Sequence, residues 1–521
     1  MTQNVNAPPR AGRREWAGLA LLLVPAMLVM MDLTLLHLAV PQLSADLDPS
    51  GTQLLWITDV YGFFVAGLLL TMGTIGDRLG RRRMVMIGAA AFTSVSVLAA
   101  FSSSPEMLIL ARALLGVAGA TLAPSTLSLI TTLFRDPAQR SVAISLWMTS
   151  FMAGGALGPV VGGVLLEFFW WGSVFLLAVP VMLPLLLFGG RLLPEHRNPE
   201  PGPLDLVSVF LSLTGVLTLV YGIKETVRDG LALTPLLAVA VGAVLLTSFV
   251  RRQLRASAPF FDVTLFRNRA FGTALVTLST TALLIAGVQF LVAQYLQMVQ
   301  GLSPMVAGLW MLPMVAGGVA SVLAASTVVR RVRPAVVFAT GLLVAALGFG
   351  LLTQAGADAA LAVVVVGSTL MFAGLMPVSA LGTDVVMSTA PQESAGTVAG
   401  MAETTQELGA ALGIAVIGVV SAGLYAARTS LSLPAELSEA QARSAGSTIG
   451  AAHQVAESLP EAVGAEVLDA ARAAFAHGLQ VNAAVAALVL VVLAAVVSLV
   501  LRRVPAAGEL EPVTGGEDSG T

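Results

Sequence analysis

Five charged residues lie inside long apolar stretches of the sequence, and their types suggest a proton-linked chemistry. They are Asp32, Asp59, Arg112, Glu403 and Glu407. In an apolar interior a carboxylate is costly when ionised and tolerated when protonated, so it can load and release a proton. The unprotonated group can instead hold an organic cation. Competition between a proton and a cation for the same acids is what an exchanger requires.

The spacing of the acids predicts two groups at defined depths. Asp32 lies nine residues from Pro41 and Asp59 lies six from Gln53, which corresponds to about 13 and 9 Å along a helix. We therefore expect both at comparable depth, in the external half of their helices.

Glu403 and Glu407 are four residues apart, so they are expected on one face of a single helix, near its middle. Arg112 lies some six residues inside its apolar run, where a charge is disfavoured by about 2.5–3.5 kcal/mol on insertion scales, so a buried partner is expected. The alternative for each acid is a structural role, pinned by Arg112 or by helix-end donors.

Aromatic side chains near the level of these acids are candidates for binding a cation through their ring faces. We select Trp56, Tyr61, Phe290 and Tyr295. The alternative for each ring is plain packing or anchoring at a membrane interface.

The composition indicates an integral membrane protein. Of 521 residues, 56% are hydrophobic and 11% are charged, against roughly a quarter charged in a soluble domain, and the mean hydropathy is +0.88. Too few charges are present to cover a soluble surface, which excludes a nucleic-acid binder or a soluble enzyme. With no cysteine and four scattered histidines, we expect neither a metal site nor another cofactor.

Fourteen apolar runs are long enough to span a bilayer, which needs about 20 residues. The first run contains Asp32 and no small-residue cleavage site follows it, so we interpret it as a retained span rather than a signal peptide. The predicted spans are 16–41, 53–75, 84–101, 106–130, 141–164, 171–190, 204–223, 231–250, 270–298, 304–326, 335–353, 358–382, 396–424 and 476–501.

The arginines predict the orientation. With a cytoplasmic N-terminus, 21 of the 27 basic residues fall in inner loops or tails, so the positive-inside rule places both termini in the cytoplasm. Only five, including Lys224, are then assigned to the outside.

This arrangement predicts an all-α integral membrane protein with two halves. The predicted segments are a cytoplasmic tail 1–15, six spans within 16–190, two spans within 204–250, a cytoplasmic amphipathic linker 251–269, six spans within 270–501 with an external loop 425–475 of one or two amphipathic helices, and a cytoplasmic tail 502–521.

Two glycine-containing motifs indicate helices that pack closely and move. The loop between spans 2 and 3 combines close glycines with one acid and several arginines, which we expect to pair with carboxylates across a moving interface: Gly73, Asp77, Arg78, Gly80 and Arg81. Span 5 carries glycines four residues apart and a helix-bending proline: Gly154, Gly158, Pro159, Gly162 and Gly163.

These motifs resemble those of the major facilitator superfamily, in which the first acts as a cytoplasmic latch and the second marks antiporters. The run from Met31 to Pro41 and the later Glu403-Thr-Thr-Gln-Glu-Leu-Gly409 are similar to the QacA-type drug:proton antiporters, the fourteen-span branch. The resemblance covers about residues 16 to 502. It implies the major facilitator fold, with two six-helix bundles over 16–190 and 270–501 and an inserted two-helix hairpin over 204–250.

The resemblance implies roles for the buried charges. Asp32 is then the first candidate for proton coupling, with Arg112 tuning it, and Glu407 is a candidate for coupling or for substrate recognition. Asp59 and Glu403 are candidates for substrate recognition. The expected partners are protons, lipid and lipophilic cations such as quaternary ammonium compounds, dyes and drugs, exported by a monomer.

Two alternatives remain at this stage. The first is a proton-coupled exporter of a self-made metabolite or antibiotic, for which Asp59 and Glu403 would be structural. The second is a membrane enzyme or sensor, which needs a nucleophile–base pair, a metal cluster or an appended domain, and the sequence contains no visible example.

Overall fold

The structure is a computed structural model that describes residues 10–195, 205–229, 232–256, 263–328, 332–388, 395–434 and 436–503. Within those ranges all regular secondary structure is helical. The helices are α1 (Arg13–Leu47), α2 (Gly51–Leu79), α3 (Arg81–Ala100), α4 (Pro105–Leu133), α5 (Pro137–Phe168), α6 (Ser173–Leu176), α7 (Ala178–Leu192), α8 (Leu206–Asp229), α9 (Leu233–Gln253), α10 (Arg269–Gln294), α11 (Pro304–Val328), α12 (Pro334–Leu352), α13 (Leu361–Ser388), α14 (Ala395–Ser432), α15 (Glu439–Ala445), α16 (Ile449–Glu457) and α17 (Glu461–Val500).

Long apolar helices are the form that such a sequence must take in lipid, because a helix satisfies its own backbone hydrogen bonds. Thirteen stretches of the described residues are long and apolar enough to span, and α5 adds one more when its two segments are taken together. That agrees with the fourteen predicted spans. Helix α5 bends by 40° between Gly155 and Leu157, next to the backbone carbonyl with which the Pro159 ring would clash in a straight helix.

The helix packing repeats between the two halves of the chain. Helix α1 packs on α5 as α10 packs on α14, and α2 packs on α4 as α11 packs on α13. Likewise α3 contacts α7, and α12 contacts α17. The two halves meet along α2 with α14 and along α5 with α11. We call these two contacts the seams. If each helix is replaced by its counterpart in the other half, the α2–α14 seam becomes the α11–α5 seam.

The hairpin of α8 and α9 packs on this arrangement through α8, which contacts α2 and α14. At its base Asp205 accepts hydrogen bonds from Arg252 at 3.0 Å and from the Ser208 amide at 3.0 Å. Partial burial raises the pKa of Asp205, but the bonds from Arg252 and Ser208 outweigh this effect and hold that pKa at about 2. The base of the hairpin is therefore ionised at any physiological pH.

The segment 425–475, predicted as an external loop of one or two amphipathic helices, is mostly helical among its described residues. Helix α14 continues to Ser432 and α17 begins at Glu461. The short helices α15 and α16 form a cap over one end of the bundle, which we call the cap end. Gln454 of α16 donates a hydrogen bond to the Ala45 carbonyl of α1 at 3.2 Å, so the cap links the second half of the chain to the first.

Some predicted segments fall partly outside the described residues. This applies to 1–9 and 504–521 of the two tails and to 257–262 of the linker. The described end of that linker is a short 3₁₀ helix over Val263–Arg267 that leads into α10.

Candidate functional site

The structure brings Asp32 of α1 and Arg112 of α4 into a buried ion pair. Arg112 Nη1 lies 2.5 Å from Asp32 Oδ2, and the arginine side chain has no exposed surface. Arg112 Nε also donates to the backbone carbonyl of Ile57 on α2 at 3.2 Å. One arginine therefore ties three helices of the first half together. Asp32 is the buried partner that the depth of Arg112 in its apolar run predicted.

Arg112 has further support that does not depend on Asp32. Its guanidinium carbon lies 4.7 Å from the ring centroid of Tyr61 and 5.9 Å from that of Phe175, both within the range of cation–π attraction. Its Nη2 is buried without a hydrogen-bond partner among the described residues. Neutralising Asp32 would thus leave the arginine held by Ile57 and two aromatic rings.

Tyr61 connects this pair to the second half of the chain. Its hydroxyl is buried and lacks a hydrogen-bond partner among the described residues, and it lies within electrostatic range of both Asp32 and Glu407. A Cβ added at Gly119 of α4 would come within 2.8 Å of that hydroxyl. Glycine at this position lets the phenol ring fit between α2 and α4.

Glu403 and Glu407 lie in the first half of α14, towards its N-terminus, and both are half-buried. Gln406 between them bonds to α13, where it accepts from the Ser379 hydroxyl at 3.0 Å. Further along α14, Ala411 packs against Gly62 of α2. The contacts of α14 with α13 and α2 therefore position the two glutamates. Their side chains are partly exposed although they lie in the interior, which indicates that they border an internal space.

Asp59 has a partner that the sequence analysis missed. Lys224 was assigned to an external loop, and that assignment was wrong: it lies in α8, fully buried, with Nζ 2.7 Å from Asp59 Oδ2. The same ammonium lies 4.1 Å from the centroid of the Trp56 ring. The available signal was its rarity, since Lys224 is the only lysine among the 27 basic residues.

The two remaining aromatic candidates, Phe290 and Tyr295, have different surroundings. Phe290 of α10 packs edge-on against His37 of α1, with 5.6 Å between the ring centroids. His37 lies about one turn beyond Asp32 along α1. Phe290 also lines a largely apolar cavity beneath the cap. The Tyr295 hydroxyl donates to the Gly356 carbonyl at 2.6 Å, within the second half of the chain.

The glycines of the span-5 motif form the contact of α5 with α1. A Cβ at Gly154 would overlap the Met27 carbonyl, and one at Gly158 would overlap the Thr34 hydroxyl. At Gly162 a Cβ would lie 2.7 Å from Leu35 Cδ2. This face holds α1 at the level of Asp32.

The last glycine of that motif faces the other half of the chain. A Cβ at Gly163 would lie 2.7 Å from Met305 Cα of α11. In the opposite direction, a Cβ at Gly308 of α11 would overlap the Pro159 carbonyl. The motif therefore makes the two halves meet backbone to backbone.

The loop motif turns sharply between α2 and α3. Gly80 has φ 108° and ψ 132°, a conformation that is almost restricted to glycine. Asp77 pairs with Arg81 one turn further along, at 2.5 Å, while Gly73 packs towards Pro124 of α4. Arg78 is exposed.

The following arginines hold the end of α7. Arg82 Nε lies 3.5 Å from Glu195 Oε2, Arg83 Nε lies 3.7 Å from the same oxygen, and Arg82 also donates to the Gly190 carbonyl at 3.2 Å. Arg82 and Arg83 follow Arg81 in the loop motif, whose arginines we expected to pair with carboxylates across a moving interface. In this conformation their carboxylate partner instead belongs to the same half of the chain.

No group of three or more possible metal ligands occurs among the residues that the structure describes. The charged groups that the structure pairs in the interior are two aspartates, one arginine and one lysine.

Comparison with known proteins places these features in a family. The family model described as Major Facilitator Superfamily matches residues 22–414. The multidrug efflux pump LfrA of Mycolicibacterium smegmatis is 42% identical over 95% of this chain and 98% of its own length. The methyl viologen resistance protein SmvA of Salmonella typhimurium is 37% identical over 89% of this chain and 93% of its own.

A third relative and a solved structure agree with that placement. The puromycin resistance protein pur8 of Streptomyces alboniger is 33% identical over 80% of this chain and 83% of its own length. A crystal structure of a bacterial homologue of the human lysosomal transporter Spinster superposes with a TM-score of 0.64 at 17% identity, covering 94% of this chain and 98% of that one.

Proposed function

Since the chain belongs to the Major Facilitator Superfamily and is an efflux-type transporter rather than an enzyme, we propose that it exports lipophilic organic cations in exchange for protons. The substrates are quaternary ammonium compounds, dyes and related drugs. The chain acts as a monomer in the bacterial inner membrane, with both termini in the cytoplasm.

The observation that carries the proposal is the buried contact of Asp32 with Arg112. A carboxylate in the membrane interior is ionised only while a cation compensates it, and here that cation has three other supports, Ile57, Tyr61 and Phe175. Protonation of Asp32 therefore releases α1 from α4 without leaving Arg112 unsupported. This is the arrangement that a proton-loading site needs.

Arg112 also supplies a route from proton to substrate. It lies within electrostatic range of Asp59, and Tyr61 beneath it lies within range of Glu407. When Asp32 takes up a proton, the charge of Arg112 is no longer compensated by that carboxylate, so the binding of a cation at Asp59 becomes less favourable. Proton uptake and cation release are coupled in the direction that export requires.

The paired seams between the halves support alternating access. Rocking of one six-helix bundle against the other about a central site is the motion that such repeats permit. Backbone contact at Gly163 with Met305 and at Gly308 with Pro159 closes one seam, and the cap covers the same end. The inward proton supplies the work, to which the membrane potential contributes about 2.3 kcal/mol per charge per 100 mV.

The test is ethidium efflux from cells and from proteoliposomes with an imposed pH gradient. We expect an uncoupler and Asp32→Asn each to abolish efflux. The matched control is Asp46→Asn, which removes an exposed carboxylate near the end of the same helix. Efflux that persists after collapse of the gradient, or full activity of Asp32→Asn, would contradict proton coupling.

A second candidate is the export of a self-made metabolite or antibiotic, neutral or anionic. The similarity to pur8 and to the tetracenomycin C resistance and export protein of Streptomyces glaucescens, which is 31% identical over 78% of this chain and 76% of its own length, favours considering it. It predicts that the double variant Asp59→Asn/Glu403→Gln spares efflux. Loss of cation efflux in that variant would favour the first candidate.

A further inference from the structure

The buried pair of Asp59 and Lys224 joins a substrate candidate to a helix outside both six-helix bundles. The contact is 2.7 Å long and both side chains are without exposed surface. Asp59 belongs to α2, in the seam between the halves, whereas Lys224 belongs to the inserted hairpin. The hairpin therefore contributes a charge to the transport site.

Trp56 completes a cation site around the lysine ammonium. Trp56 and Asp59 are three residues apart on α2 and so project from one face of the helix. The ammonium lies 4.1 Å from the indole centroid and 2.7 Å from the carboxylate. An aromatic face beside a carboxylate is a recognised way to bind alkylammonium groups, because it combines quadrupole attraction with charge.

The pair is incompletely satisfied for a structural ion pair. Asp59 Oδ1 is buried without a hydrogen-bond partner among the described residues. A buried pair retained for stability is expected to satisfy its remaining lone pairs, since the desolvation penalty is otherwise poorly offset. The free oxygen indicates a carboxylate that is shaped to change partners.

The surroundings suit a lipophilic ligand. Apolar side chains from α2, α8 and α14 form a small cluster separate from the main core, and Trp56, whose ring faces the Lys224 ammonium, packs against it. Its members are Phe63, Val220, Ala411 and Ala415, with Trp56, Val216, Leu217, Leu408 and Leu412 packed against them. One contributor, Leu408, follows Glu407 directly in the sequence. The cluster thus adjoins the acids of α14.

We propose that Trp56 and Asp59 form the ammonium subsite of this transporter and that the Lys224 ammonium is its built-in occupant, displaced when a lipophilic cation binds. The inference rests on the proposed export of cations. It adds that Lys224 compensates the charge of Asp59 while no substrate is bound. Exchange of one monovalent cation for another leaves the net charge at the carboxylate unchanged. An anion of the same shape gains nothing there.

The first experiment uses the wild-type chain. Because Lys224 is the only lysine, acylation by an amine-reactive ester can be read by mass spectrometry of a single internal peptide, in protein with a lysine-free tag. We expect saturating tetraphenylphosphonium to raise the acylation rate of Lys224 several-fold, since the amine loses its carboxylate partner. Tetraphenylborate, the anion of the same shape, is the control and should leave the rate unchanged.

The outcomes separate this inference from the proposed function. If tetraphenylphosphonium does not bind the purified wild type at all, cation export fails and the inference fails with it. If it binds and the acylation rate of Lys224 stays constant or falls, only the displacement of Lys224 is overturned.

The second experiment removes the occupant. We expect Lys224→Met to bind tetraphenylphosphonium about tenfold more tightly, because a site that is mostly occupied by its own lysine shows a weakened apparent affinity. Lys224→Arg keeps a cation in place and should not tighten the binding of tetraphenylphosphonium. The double variant Asp59→Asn/Lys224→Met should lack the tighter binding of Lys224→Met, because the carboxylate is gone. Unchanged or weaker binding by a folded Lys224→Met would overturn the proposal, and if that variant does not fold, the acylation measurement decides.

Discussion

Arg112 and Asp32 meet at 2.5 Å although 80 residues separate them in the chain. The contact joins α4 to α1 in the interior of the first bundle, and the arginine also reaches the Ile57 carbonyl of α2. The arginine at the proposed proton site is therefore also a structural tie between three helices.

The first prediction concerns the stability of this pair. Arg112→Met leaves Asp32 buried without its donor, so we expect a loss of about 3–5 kcal/mol, the usual cost of breaking a buried pair from one side. The measurement is the unfolding midpoint of purified protein in detergent. We also expect no proton-driven efflux.

The matched control removes both charges. Asp32→Asn/Arg112→Met should recover most of the lost stability, because no unpaired charge remains, and should still not transport. A double variant that is as unstable as Arg112→Met would mean that the arginine stabilises the bundle through Ile57 and the rings rather than through Asp32.

The second prediction concerns the seam between the halves. Gly163→Ala places a methyl group against the backbone of Met305 and Pro304, which cannot turn away as a side chain can. We expect α5 and α11 to separate and efflux to fall at least tenfold, while the amount of folded protein stays near that of wild type. Gly155→Ala is the control, because its Cβ meets only Met30 Cγ, at 3.4 Å; equal activity of the two variants would contradict the close contact.

A third prediction concerns the turn between α2 and α3. Gly80→Ala forces a side chain into the backbone conformation at φ 108°, with a cost of about 1–3 kcal/mol. We expect lower yield of folded protein and slower ethidium efflux per molecule. Gly190→Ala, at a nearby position with nothing within 4 Å of the added Cβ, should behave as wild type, and a normal Gly80→Ala would argue against a strained turn.

The fourth prediction concerns the cap. A Cβ at Gly450 lies 3.4 Å from Ser44 Cβ, close to the separation in disulfides, and the chain has no cysteine of its own. Ser44→Cys/Gly450→Cys should therefore cross-link on oxidation, stop efflux and regain it on reduction, because the bond ties α16 to α1. Each single cysteine variant is the control. A cross-linked protein that still transports would mean that the cap and α1 move together.

Expectations derived from the acids were accurate where a charge had to be buried. Arg112 lies deep in an apolar run, so a partner was required, and the structure supplies Asp32. Lys224 was misplaced because it follows the apolar run predicted to end at residue 223, and hydropathy cannot distinguish a lysine that leaves the membrane from one that turns inward. Tyr295 was selected for its ring and its position near the end of a span, and its hydrogen bond to Gly356, 61 residues away, could not be predicted from a local pattern.

The sequence by itself determined that this chain spans a membrane many times and that Asp32, Asp59 and Arg112 are buried within apolar segments, because these properties follow from the length and composition of local segments. Only the tertiary structure decided which charges meet. Asp32 with Arg112, Asp59 with Lys224, and Gly163 with Met305 join segments 80 or more residues apart, and such pairings depend on how helices cross, which no local pattern specifies.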